Sequence, residues 1–310
     1  MTEKRGSGKA RILGVHSGAL GDCILFARLL ERLDGQTTLL AGGSKGRLLA
    51  GLGAVDSFLD FDALPMHEVF SDNAPADCDL PRYLGGFDRL VSCFAAGDRH
   101  AELRLAAMCQ AAAAAFLPIR PPVEATCHLV ELWGDMLGRS APSEYRAWTV
   151  PPAWRRQAGE ALRGAGVDAS QPYLAIHPGA GADEKCWPLE RFIELGDAGD
   201  LPAVFVLGPV EADRWRAEKI ARLAAARPVL ICPELEILAG VLGGAAAYVG
   251  NDSGASHLAA AVGAATVVLF GPTRAAHFAP LGERVVTVCR PALRQITVAR
   301  VRDALRSGLA

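Results

Sequence analysis

The sequence predicts two successive α/β domains with parallel sheets, and three observations carry that prediction. The chain has 310 residues, beyond the usual size of one domain, so two domains of about 150 residues each are expected. Short β-branched or aliphatic runs alternate with amphipathic segments along its whole length, the pattern of βαβ units. Small-residue turns join strand to helix at Gly18-Ala19-Leu20-Gly21-Asp22, at Pro178-Gly179-Ala180-Gly181 and at Gly250-Asn251-Asp252-Ser253-Gly254.

The elements follow in order. Arg11 to Val15 reads as the first strand, Asp22 to Leu33 as a helix and Thr37 to Leu40 as the next strand. From Ser57 to Leu84, Pro65, Pro75 and Pro81 with intervening Asp and Asn predict a long irregular excursion of the kind that forms a binding surface. Arg89 to Phe94 returns to strand, and Ala101 to Ala114 and Ala125 to Leu137 read as helices. Pro151-Pro152 removes two backbone donors, which places the domain boundary there. Beyond it come strand Tyr173 to His177, helix Leu189 to Gly196, strand Ala203 to Leu207, helix Glu211 to Leu223 and strand Val229 to Cys232. Helix Leu235 to Leu242, strand Ala246 to Val249, helix Ser256 to Val262 and strands Thr266 to Phe270 and Val285 to Val288 complete the second domain. The expected domains are therefore 1–150 and 151–295, with 296–310 carrying a helix from Val298 to Leu305 that packs back on the first.

Composition narrows the function classes. With 51% hydrophobic residues and a formal charge of −2, the chain suits a well-packed globular protein, and nucleic acid is not an expected partner. The eight cysteines contain no Cys-x-x-Cys pair, which suits reduced thiols in a cytosolic enzyme. Met1 to Lys9 is charged and no apolar leader follows it, so export is not expected. The longest apolar stretches, Leu105 to Pro118 and Leu258 to Pro272, are interrupted at Gln110, Gly263 and Gly271, short of the roughly 20 residues of a spanning helix. His16, His67, His100, His128 and His277 share no ligand spacing, so no metal site is assigned. No Gly-x-Ser-x-Gly elbow is present for a serine hydrolase.

Two of the turns suit a diphosphate, and together they suggest a nucleotide-sugar site. Asp252 to His257 falls at the start of a helix, where unpaired N–H groups and the helix dipole favour an anion. The N–H groups of Ser253 and Gly254 can contact phosphate, whereas Asp252 is left to orient the loop or bind a sugar hydroxyl. His257 can donate to the diphosphate or serve only inside the fold. Upstream, Gly179 and Gly181 give a flexible loop that ends in Lys185, a point charge able to reach phosphate oxygens or a plain surface lysine. Trp187 can anchor that loop by burial, and Pro188 suits the first turn of a helix.

Gly18-Ala19-Leu20-Gly21-Asp22, Pro178-Gly179 through Lys185-Cys186-Trp187-Pro188, and Gly250-Asn251-Asp252-Ser253-Gly254 through His257-Leu258-Ala259, closing with Leu269-Phe270-Gly271-Pro272-Thr273, resemble the motifs of the heptosyltransferase family in order and spacing. The resemblance is strongest in the second half. It implies a GT-B fold, two Rossmann-like domains facing a central cleft, and inverting transfer of heptose from ADP-heptose to a lipopolysaccharide-core acceptor. It also implies a cytoplasmic enzyme with no cofactor, meeting a lipid-linked glycan at the inner membrane surface.

Such a transfer needs a base near the acceptor hydroxyl and positive potential at the departing diphosphate. Asp22 is the candidate base: Gly18 and Gly21 let the chain turn tightly and leave its carboxylate at the C-terminal edge of the sheet. The alternative is a helix N-cap. Glu211, after Leu207-Gly208-Pro209, matches the family position for the ribose hydroxyls, or is a first-turn acid favoured by the helix dipole. Arg99 and Arg104, after the strand ending at Phe94, read as solvated surface arginines, with contact to acidic or phosphorylated acceptor groups as the alternative. Two other functions fit the same residues: a non-catalytic nucleotide-sugar-binding protein and a GT-B-like epimerase.

Overall fold

The computed structural model describes residues 9–199, 201–231 and 234–309. The chain divides into two compact units, Met1–Pro142 and Ser143–Ala310. The first contains β1 (Arg11–Val15), α1 (Leu20–Leu30), β2 (Gln36–Ala41), α2 (Gly43–Gly51) and β3 (Ser57–Asp60). Three 3-10 turns follow, at Phe61–Ala63, Met66–Phe70 and Pro75–Asp77, then α3 (Pro81–Leu84), β4 (Arg89–Ser92), α4 (Arg99–Cys109), β5 (Ala113–Phe116) and α5 (Leu129–Met136). The five strands form one parallel sheet in the order β3-β2-β1-β4-β5, with Ile12 registered between Thr37 and Arg89.

Strand sequences such as Ile-Leu-Gly-Val suit a sheet covered on both faces. Leu13, Val15, Leu40 and Leu90 pack with Leu105 and Met108 of α4, and Met66, Val69 and Leu80 of the irregular excursion close the same core.

The second unit contains α6 (Pro152–Gly164), β6 (Leu174–His177), a 3-10 turn at Asp183–Lys185, α7 (Leu189–Ala198), β7 (Ala203–Leu207), α8 (Pro209–Arg214), α9 (Ala217–Ala226) and β8 (Val229–Ile231). It continues with α10 (Leu235–Gly244), β9 (Ala247–Asn251), α11 (Gly254–Ala261), β10 (Ala265–Phe270), α12 (Ala275–Phe278), β11 (Val285–Cys289) and α13 (Val298–Leu309). Its six strands are parallel, in the order β11-β10-β9-β6-β7-β8.

Each sheet reverses its winding direction once. The first does so between β1 and β4 and the second between β6 and β9, because each later strand returns beside the unit's first. A crevice beyond the strand C-termini at such a switch point is where open α/β sheets bind ligands. The loops that open there are Gly18 to Gly21 after β1, Pro178 to Lys185 after β6, and Asp252 to Gly254 after β9.

Several expectations change. The boundary lies at 142/143, ahead of the proline pair, because Trp148 N–H already bonds Ala261 O (2.7 Å) in the second unit. Pro151 and Pro152 start α6, Pro152 taking the first helical position, where a missing N–H costs nothing. Within the second unit, Val298, Val301 and Ala304 bury the apolar face of α13 in the core. Ala113 and Ala114, expected to end a helix, open edge strand β5 instead. The expected helix Glu211 to Leu223 is two, broken at Trp215, which is extended with φ −83° and ψ 138°. Cys232, expected to end a strand, lies outside the described residues.

Candidate active site

In the first unit the polypeptide between β1 and α1 is fixed through Gly18. Its N–H donates to His16 Nδ1 (3.0 Å), while its carbonyl accepts from Lys45 Nζ (2.6 Å) and from the Cys23 thiol (3.5 Å). A Cβ on Gly18 would lie 2.5 Å from the His16 ring and 3.0 Å from Asp22 Oδ2, so glycine is required. Ala19 is the N-cap of α1 and offers no side-chain acceptor; Asp22, three residues on, accepts the Ala19 N–H at Oδ2 (3.2 Å). Asp22 thus does the helix-starting work that was its alternative reading, but from inside the first turn and with its side chain still partly exposed. Gly21 is buried in that same turn.

His16 is buried against Phe26 and Trp133. Burial lowers its pKa to about 4, against an opposing pull from Asp22 and with further lowering from Lys45. The ring is therefore neutral at pH 7, with Nδ1 as acceptor and the proton on Nε2.

This has a measurable consequence. In the unfolded chain His16 takes a proton near pH 6.5, in the folded chain only near 4. Between those values the unfolded state binds the extra proton, so stability rises with pH across the window and is lost as pH falls through it. Urea unfolding at pH 7 and pH 4 should show wild type losing roughly 3 kcal/mol more than His16→Asn. Equal losses would mean the ring is not held neutral.

In the second unit Lys185 and Asp252 meet across the switch point, Nζ to Oδ2 at 2.8 Å, with side chains 34% and 10% exposed. Lys185 is therefore held in place by the loop after β9. Asn251, at the end of β9 and fully buried, binds both sides of the β6 loop. Its Oδ1 accepts from Trp187 N–H (2.9 Å), and its Nδ2 donates to Pro178 O (2.9 Å) and Gly179 O (3.3 Å). Trp187 is buried edge-on to Phe192, and its Nε1 donates to Ile296 O (3.0 Å). The expected anchoring role of Trp187 is present. Asn251 and Lys45 were not singled out from the sequence; Asn251 lay in a quoted motif, and no pattern distinguished Lys45.

α11 begins at Gly254 after an extended Ser253; Ser256 N–H bonds Ser253 O (3.1 Å), and the N–H groups of Gly254 and Ala255 precede the first bond of the helix. His257 is buried one turn in. Glu211 is buried in the first turn of α8, accepting Gly208 N–H at Oε2 (2.8 Å), and lies directly against Gly179. A Cβ on Gly179 would come within 1.8 Å of Glu211 Oε1. Gly179→Ala must therefore displace the carboxylate or the loop, at a cost of about 1–3 kcal/mol for overpacking. Thermal denaturation checks this, and an unshifted midpoint would contradict the packing. Gly181 has open space around it, so no contact demands glycine there. Asp183 and Glu184 are exposed. Among the described residues no group of three or more His, Cys, Asp or Glu side chains could hold a metal ion.

Two parallel α/β units, each with a tight glycine loop and an oriented polar group at its switch point, have the architecture of GT-B glycosyltransferases. A solved glycosyltransferase family 9 protein from Veillonella parvula shares it with a TM-score of 0.79, 19% identity and 97% coverage of each chain. The Escherichia coli heptosyltransferase WaaC, solved with ADP, gives a TM-score of 0.69 at 20% identity over 96% of this chain and 99% of its own. The profile of glycosyltransferase family 9 (heptosyltransferase) matches residues 97–304, more than half of the sequence, and the chain belongs to that family.

Among curated relatives, lipopolysaccharide heptosyltransferase 1 of Pseudomonas aeruginosa is 33% identical over 145 residues, covering 42% of this chain and 39% of its own length. Lipopolysaccharide heptosyltransferase 3 of Escherichia coli is 29% identical over 177 residues, 54% of this chain and 50% of its own. The chain thus spans half or less of the length of these curated relatives.

Proposed function

We propose that this chain is an inverting glycosyltransferase that moves a heptose from ADP-heptose to a hydroxyl of a lipopolysaccharide-core or other glycan acceptor. The observation that carries the reading is the Lys185–Asp252 pair at 2.8 Å beside the start of α11, a cation held at a switch point next to free-facing main-chain amides. Family membership supports the sugar-transfer chemistry.

In this reading Lys185, the amides of Ser253 and Gly254, and His257 hold the diphosphate, while Asp252 keeps the ammonium in place. Glu211, against the Gly179 loop, takes the ribose hydroxyls. Asp22 accepts the proton of the acceptor hydroxyl as its oxygen bonds to the anomeric carbon. The bond from that carbon to the diphosphate breaks on the opposite face, and ADP leaves with the electron pair. Lys185 and the helix N-terminus meet the charge that develops on the leaving group, so the reaction needs no resident metal.

The acceptor is carried on a lipid, and the enzyme meets it peripherally at the cytoplasmic face of the membrane. No helix among the described residues is long and apolar enough to cross a membrane.

Calorimetry against ADP-, GDP-, UDP- and dTDP-sugars, followed by transfer assays with and without EDTA, tests the proposal. ADP-heptose should bind in preference and turnover should survive the chelator. Binding without transfer to any acceptor extract would make the chain a nucleotide-sugar-binding protein, and an isomerised sugar from donor alone would make it an epimerase.

A further inference from the structure

We propose that the first unit presents an aromatic platform beside Asp22 that takes the apolar face of an uncharged sugar ring, so that the acceptor residue is a neutral sugar and not a phosphorylated or carboxylated one. The inference rests on the glycosyltransferase reading and names the acceptor class. Phe61, the first residue after β3, meets Phe94, just beyond β4, edge to face with ring centroids 5.0 Å apart. Since β2 and β1 lie between those strands, the pair reaches across their C-terminal ends. Phe70 joins Phe94 in the same manner at 5.4 Å and is 53% exposed. The cluster adjoins the loop that carries Asp22: Ser92 is registered with Val15, and Cys93 N–H, next to Phe94, bonds Val15 O at the end of β1 (2.9 Å).

The exposed ring is held by its backbone. Arg104, expected to be a solvated surface residue, is only 7% exposed. Its guanidinium donates to Glu68 O (2.8 Å), Val69 O (3.2 Å), Asn73 O (2.6 Å) and Ser71 Oγ (3.0 Å), gripping the chain on both sides of Phe70. On the other strand, Ser92 Oγ donates to Phe94 O (2.7 Å), and Ala95 adopts φ 63°, a left-handed conformation that costs a non-glycine residue about 1–2 kcal/mol. Strain of that kind is kept where a side chain must be aimed. A preorganised, solvent-facing aromatic ring is suited to stacking on a ligand.

Charge selects which ligand. From Leu48 to Pro81 the sequence has seven Asp or Glu and no Lys or Arg. Asp62, Asp72 and Asp77 are exposed around the platform, and the neighbouring cations are engaged within the fold: the Arg104 guanidinium by main-chain and hydroxyl oxygens, Arg82 by Asp79 (2.9 Å) and Lys45 by Gly18 O (2.6 Å). Such a surface repels phosphate and carboxylate groups, and for the same reason it repels an anionic bilayer leaflet. A neutral sugar satisfies both features, its C–H face against the rings and its hydroxyls donating to the carboxylates.

Saturation-transfer NMR on the full chain tests this with methyl glycosides of glucose, galactose and mannose and with their 6-phosphates. Neutral glycosides should show saturation concentrated on one ring face, and the phosphates should bind at least about tenfold more weakly, equivalent to ~1.4 kcal/mol. Phe70→Ala should abolish the glycoside signal and leave ADP binding intact. Phosphates that bind equally or better, or a signal unchanged in Phe70→Ala, would overturn the inference. So would cosedimentation with phosphatidylcholine or phosphatidylglycerol vesicles that depends on Phe70. A chain that binds ADP but no neutral glycoside defeats the acceptor inference alone, whereas wild type that fails to bind ADP defeats the donor reading beneath it.

Discussion

Asp22→Asn is expected to lower the transfer rate by about 10²–10⁴-fold, the usual worth of a positioned general base, and to leave ADP affinity unchanged. The choice of Asn matters. Its amide oxygen can still accept the Ala19 N–H that Asp22 Oδ2 receives at 3.2 Å, so the first turn of α1 keeps its bond. What disappears is the ability to take a proton. A variant that unfolds would report on the helix start; one that melts like wild type and binds ADP but does not turn over isolates the chemical step. Normal turnover in Asp22→Asn would show that the base is elsewhere.

Lys185→Met should lower kcat/KM by about 10²–10³-fold, the range for losing a preorganised donor to a developing oxyanion, and should weaken ADP binding as well. The methionine stem occupies similar space while the charge is lost. Asp252, 10% exposed and paired among the described residues through that ammonium at 2.8 Å, is then left as an uncompensated carboxylate where the proposed reading seats a diphosphate. The double variant Lys185→Met, Asp252→Asn should therefore bind ADP better than Lys185→Met alone, a coupling that a double-mutant cycle measures. Unchanged ADP affinity in Lys185→Met would reduce the pair to a structural ion bridge.

The central strands and both glycine loops were legible because their residues announce them: uninterrupted aliphatic runs that end in glycine. The misread segments each trace to a tertiary requirement that imitates a local signal. Gly42-Gly43-Ser44-Lys45-Gly46, to which the sequence assigns no element, opens α2, where the glycines answer to packing. A Cβ on Gly43 would lie 2.4 Å from the Asp60 carboxylate, and one on Gly46 would lie 2.7 Å from Phe58.

The alanines of β5 favour a helix by propensity, yet their backbone groups complete the ladder beside β4. Trp215 interrupts a helical pattern because its ring packs against the second unit's core, with Lys219 Nζ 3.5 Å from its centroid.

The site divides the same way. Lys185, Asp252, Gly179 and Glu211 lie on motifs, and the structure brings Lys185 to Asp252 and Gly179 to Glu211. Arg104 was misjudged because nothing local shows that its guanidinium is absorbed by a loop some thirty residues earlier in the chain.

Trp187 donates its indole N–H to Ile296 O, and Arg191 donates to the carbonyls of Arg294 and Ile296. The stiffness of the lysine-bearing loop is thus borrowed from chain more than a hundred positions downstream. A single proteolytic nick between β11 and α13 need not release either fragment, but it would slacken that tether. Damage of this kind would surface as a loss of nucleotide affinity well before any loss of secondary structure.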